Sequence, residues 1–150
     1  MRNLLLIVHI TAVAAWLGAN FTQGVVGGRL IADEHLTAAA WMRSTLRMGQ
    51  VLYPPAAVLI LLSGIFLVLT SKGAYRFDSP FVAIGVAVVI AGAVLGSLVF
   101  GRLWKRAAEL HEAGGSADLA AIHQRLTFWG ILDTVLMLIA LVAMVTRLGA

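Results

Sequence analysis

The chain has 150 residues, 61% of them hydrophobic and 12% charged, where a soluble domain carries about 25% charged residues; with a mean hydropathy of +0.95, an ordinary soluble domain is excluded. The absence of cysteine removes disulfides, thiolate metal sites, Fe–S clusters and thiol nucleophiles together. The net charge is +4, but the basic residues are scattered along the edges of apolar blocks instead of forming a stripe, which argues against a nucleic-acid partner and for the flanks of membrane spans.

Four blocks, Asn3–Gly28, Met48–Ser71, Ser79–Gly101 and Leu126–Thr146, hold no Lys, Arg, Asp or Glu apart from Asp133. They are 26, 24, 23 and 21 residues long, and a helix needs roughly 20 to cross hydrocarbon. The expectation is a single all-α domain over 1–150, a four-helix transmembrane bundle in a lipid bilayer. In the first block, Arg2 and the small-x-small triplet Ala12-Val13-Ala14 resemble a secretory signal, but the apolar run continues through Trp16, Leu17, Phe21 and Val26, so the helix is expected to be retained.

The connection from Arg29 to Arg47 has no Pro and no Gly and is rich in helix formers. It reads as an interfacial helix, with Trp41 and Leu46 at the headgroup boundary and Asp33, Glu34 and Arg43 in water. In span two, Tyr53-Pro54-Pro55 removes backbone donors, so the helix is expected to kink or begin there. In span three, Gly85, Gly92 and Gly96 fall on one stripe, which reads as a packing face toward another span of the same chain. Beyond Gly101 the helical pattern runs on to Glu112 and breaks at Gly114-Gly115-Ser116. A cytoplasmic helical hairpin is expected, with Ser116 or Asp118 capping the return helix. The first and third connections carry seven Lys and Arg against four on the other face, which places both termini outside.

Span one bears a polar stripe: His9, Trp16, Asn20, Gln23 and Gly27 lie within about 40° of one line on a helical projection. Such a stripe turns inward, and an ionisable group on it is a functional-site hypothesis. His9 lies about 9 Å inside the boundary, level with Ser63, Met137 and Met144. Five-coordinate haem, a His/Met pair on haem, or Cu(I) held by imidazole and thioether are all open chemistries there, beside a simple hydrogen-bonded imidazole and methionines that merely fill the core. Asp133 costs around 2.5 to 3.5 kcal/mol in mid-helix. By depth it meets Asn20, Gln23, Gln50 and Tyr53, with Arg47 within reach, and Asn20 is the expected partner. It reads either as a hydrogen-bonded clamp or as a proton acceptor. His35, His111 and His123, with Glu109, Glu112 and Asp118, show no i, i+4 ligand pair, so the connections are expected to be solvated surface and not a metal site.

The segment His9-Ile-Thr-Ala-Val-Ala-Ala-Trp16-Leu-Gly18, H-x6-W-x-G at the start of a first span, resembles the opening helix of bacterial copper-resistance D-type membrane domains and the small four-helix membrane proteins related to them. It is similar, less closely, to HemJ-type protoporphyrinogen oxidases, although here the helix continues Asn20-Phe-Thr-Gln-Gly and lacks the second His of that family. The resemblance implies a bacterial inner-membrane protein with a haem- or copper-related role centred on His9, with Trp16 and Gly18 as packing partners. Two classes of function stay open: a cofactor-binding or redox protein of the bilayer, and an accessory or assembly subunit, homo-oligomeric or part of a larger membrane complex, with no cofactor of its own.

Overall fold

The computed structural model describes residues 1–30, 35–114 and 118–148; Asp33, Glu34, Ser116 and the side chain of His35 lie outside that description. The helices are α1 (Arg2–Leu30), α2 (His35–Val51), α3 (Tyr53–Leu69), α4 (Pro80–Val94), a π-helical segment (Leu95–Phe100), α5 (Gly101–Glu112) and α6 (Leu119–Thr146). They join into four long rods, Arg2–Arg29, Thr37–Leu69, Pro80–Glu112 and Leu119–Thr146, each long and apolar enough to cross a membrane. A rod of 33 residues is about 50 Å long against roughly 30 Å of hydrocarbon, so the second and third rods extend past any bilayer they cross. The fold is an all-α four-helix membrane bundle.

Local chemistry sets the joints. Pro54 and Pro55 cannot donate to the preceding turn, and α3 begins at Tyr53 after a one-residue interruption at Leu52, as the sequence led us to expect. Backbone bonds from Leu52 to Met48 and from Ala56 to Leu52 hold α2 and α3 in one rod. Pro80 occupies the first turn of α4, where its missing N–H costs nothing. Gly114, at φ 66°, ends the third rod in the left-handed conformation that glycine adopts freely. Asp118 precedes α6 without capping it through its side chain; its carboxylate instead lies 3.8 Å from Arg106.

The outward faces carry Ile7, Ile10, Phe21, Val58, Leu62, Phe66, Ile90, Ile131 and Val142, all exposed. That much contiguous apolar surface is stable only against lipid or another apolar partner. Inside, two cores stack along the bundle. The one toward the chain termini packs Ala12, Trp16, Ala56, Ile60, Val88, Met137 and Ala140. The one toward the hairpins packs Met42, Phe100, Trp104, Ala107, Ala108 and Ile122.

That second core corrects one expectation. The helix of the first connection is not a separate element facing headgroups. Ala38, Ala39, Met42 and Thr45 are buried, and α2 packs along α5. Trp41 is half-buried, with its indole nitrogen 3.0 Å from where a Cβ on Gly27 would sit. Only the water-facing side is as expected: Arg43 is exposed and forms a two-pronged ion pair with Glu112, both N–O distances 2.6 Å.

Candidate functional site

Between the two cores lies a cavity of about 760 Å³ with walls from all four rods. Its size follows from what is missing. Gly24, Gly28, Gly96 and Gly130 line it, and a Cβ on any of them would meet nothing within 4 Å. The π-helical turn widens the third rod along the same wall. Ser97 Oγ donates to the carbonyls of Ala93 and Val94, at 2.9 and 3.2 Å, which helps satisfy backbone acceptors where the helical ladder changes pitch. Single π turns inside α-helices occur frequently at functional sites.

The end of the cavity nearest the chain termini is polar. Asp133 is buried, at 4% exposure. Its Oδ2 accepts hydrogen bonds from Trp16 Nε1 at 3.1 Å and Asn20 Nδ2 at 2.7 Å. Asn20 Oδ1 in turn accepts from the Tyr53 hydroxyl at 2.8 Å, and Tyr53 stands edge-on to Trp16 with ring centres 5.3 Å apart. Asn20 is thus the partner of Asp133 that depth along the helices selects. Oδ1 of Asp133 receives no hydrogen bond among the described residues and lies at the Gly92 wall, 3.1 Å from where a Cβ there would sit. Gln23 turns toward Tyr53, yet its buried Nε2 closes no hydrogen bond. Gln50 lines the cavity but is exposed, and Arg47 is exposed and does not reach Asp133.

His9 is placed apart from this cavity. It is 9% exposed, its Nδ1 lies 2.9 Å from Ser63 Oγ and 3.1 Å from the Ile60 carbonyl, and its ring covers Gly64. Ser63 also donates to the Leu59 carbonyl. Together they clasp α1 to α3. Met137 is buried in the core beside Trp16, and the Met144 methyl fills the space that the missing side chain of Gly85 leaves. Gly92 takes the Trp16 ring in the same way, at 2.6 Å. Gly96, the third member of the stripe, packs on nothing and opens the cavity.

The structure overturns the reading of His111 and His123 as solvated surface. His111 on α5 and His123 on α6 face each other with Nε2 atoms 3.2 Å apart. The rings are stacked at 26°, with centres 5.2 Å apart. His111 is 4% exposed, and His123 lines the cavity. The turn between them spaces them unequally in sequence, but the antiparallel crossing of α5 and α6 brings them level. The signal was in α5 itself: Trp104, Ala107, Ala108 and His111 recur at helical spacing and form one buried face. No family model, no curated protein and no solved structure matches the chain.

Proposed function

We propose that this protein is a membrane-embedded binding protein for a small apolar molecule that carries a positive charge or N–H donors. The observation that supports this most is Asp133: one carboxylate oxygen is held by two donors from α1 and the other is left at the wall of a cavity that carries no other acidic side chain among the described residues. The volume falls in the range of small-molecule sites, about 300–1,000 Å³. Trp16, Trp41 and Trp104 on its walls offer ring faces, which attract organic cations. A panel of lipophilic amines added to the detergent-purified protein should quench the tryptophan emission saturably. Asp133→Asn should weaken that binding at least tenfold, and a neutral analogue of the best amine should bind equally to both forms. Absence of saturable quenching, or equal amine affinity for the wild type and Asp133→Asn, would reject the reading.

A second reading rests on His9. Its Nδ1 bond to the Ile60 carbonyl leaves Nε2 with no hydrogen bond among the described residues, and that division of roles is how proteins orient a histidine ligand to a metal or haem. A haem or copper centre there would take a further ligand from a second copy or a partner subunit. Protein from haem- and copper-replete cells should then carry a Soret band or stoichiometric copper that His9→Ala removes; a colourless, copper-free wild type ends this reading. In either case the Lys and Arg asymmetry orients the termini to the outside, with the cavity toward the cytoplasmic leaflet. Gly73→Cys, in the connection between α3 and α4, should therefore label from the outside of intact cells, and labelling only after lysis would reverse the orientation.

A further inference from the structure

Two buried or half-buried imidazoles that the cavity site does not use meet where α5 crosses α6. Their like nitrogens, both Nε2, converge to 3.2 Å. Nitrogens that close share something, either a proton or an ion. Two imidazoles on one tetrahedral ion with metal–nitrogen distances of about 2.0–2.1 Å have their nitrogens about 3.3 Å apart, so an ion fits between them with little movement of either helix. Two imidazolium charges at this separation would repel, so at least one ring is neutral, the form that binds metal.

We propose that His111 and His123 form a site for an imidazole-seeking divalent transition-metal ion, of the Zn²⁺ and Cu²⁺ class, with water completing its shell. The surroundings argue against a hard cation. The nearest carboxylate in sequence, Glu112, has both oxygens bonded to Arg43, and Asp118 lies beside Arg106. What remains is a pair of nitrogens, which suits zinc, copper and nickel and not magnesium or calcium, whose ligands are oxygens. Because His123 also lines the cavity, an ion at this point ties α5 to α6 at the cavity's hairpin end and fixes the spacing of two of its walls.

The test uses full-length, tag-free protein in detergent, stripped with chelator and titrated with Zn²⁺, then Cu²⁺, with Mg²⁺ as the control. The expected result is one Zn²⁺ or Cu²⁺ per chain, a metal-dependent rise in melting temperature, and no response to Mg²⁺. His111→Gln and His123→Gln, each of which keeps a hydrogen-bonding side chain, should lower the affinity at least tenfold and abolish the rise in melting temperature. X-ray absorption of the loaded wild type should show two imidazoles, a reading that does not depend on either variant folding. Wild type that takes up no transition metal at micromolar concentrations leaves a proton-sharing pair and overturns the proposal. So does an absorption spectrum without imidazole ligands, or affinity unchanged in both variants.

Discussion

In the half of the bundle near the chain termini, three helix glycines are places where something large arrives, Gly18 alone meeting nothing within 4 Å among the described helix glycines there. Gly64 receives the His9 ring, Gly85 the Met144 methyl and Gly92 the Trp16 indole. In the hairpin half the same residue type does the opposite. Gly24, Gly28, Gly96 and Gly130 face open space, and the two glycines there that are filled, Gly27 and Gly49, each receive an indole from α2 or α5. A small residue in a membrane helix therefore has no fixed meaning. With a bulky side chain opposite, it is a socket that locks two helices; without one, it is a piece of cavity wall. Asp133 sits at the boundary between these two regimes, bonded on the packed side and open on the other.

Substituting the two glycines of span three that stand one helical turn apart in sequence tests this contrast with the largest expected effect. Gly92→Leu places atoms 2.6 Å from Trp16 and 3.1 Å from Asp133 Oδ1 already at the Cβ. Overpacking of this kind costs about 1–3 kcal/mol, and displacing the Trp16 donor from the carboxylate costs about 1–3 kcal/mol more. Gly96→Leu meets open space, so its stability should change by no more than about 1 kcal/mol while the cavity is filled and amine binding is lost. Unfolding in mixed detergent micelles, followed by tryptophan emission, measures both. Equal destabilisation at the two positions would show that the halves do not differ.

Next in size is Asn20→Ala, which removes a donor from Asp133 and the acceptor of Tyr53 in one step. Leaving a buried polar group unpaired costs about 1–3 kcal/mol. Tyr53→Phe deletes only the bond to Asn20 Oδ1 and should cost less than Asn20→Ala in the same unfolding assay. The reverse order would mean that the Tyr53 hydroxyl contributes through something other than its bond to Asn20 Oδ1, since phenylalanine keeps the edge-on ring contact with Trp16.

What the sequence made legible was one-dimensional. Apolar blocks fixed the four rods, prolines fixed the start of α3, and counting residues inward from each boundary paired Asp133 with Asn20 and His9 with Ser63. Depth along an axis survives any rotation of the helices, so such pairings were within reach. The cavity was not, because it is the sum of missing side chains on four rods whose azimuths only packing decides. The π-helical turn at Leu95–Phe100 has no pattern in a run of apolar residues. The run of helix past Gly101 was legible, but the meeting of His111 and His123 also needs the azimuths at which α5 and α6 face each other, and those are set by packing, α5 lying along α2 as well as against α6. The buried stripe from Trp104 to His111 points there, but ligand spacing within one helix, the i, i+4 criterion, does not reveal a pair split between two helices.

The smallest effect belongs to the clasp in the packed half. Ser63→Ala removes the hydroxyl near His9 Nδ1, yet the imidazole retains the Ile60 carbonyl 3.1 Å away, and the Leu59 carbonyl that the hydroxyl also served keeps its place in the helix ladder. Side-chain hydrogen bonds between membrane helices average about 0.6 kcal/mol, with a maximum near 1.7, and here one of two contacts of the same nitrogen survives. The expected cost is therefore at or below that average, well under the cost of Gly92→Leu, because the contact between α1 and α3 is sustained by the seating of the ring on Gly64. Gly64→Ala tests that directly: its Cβ would lie 3.3 Å from His9 Cε1, tight enough to press the ring outward, so it should cost more than Ser63→Ala although it removes no hydrogen bond. If Ser63→Ala is the more damaging of the two, the clasp is held by its hydrogen bonds, and the packed half owes its order at this level to polar contacts instead of glycine sockets.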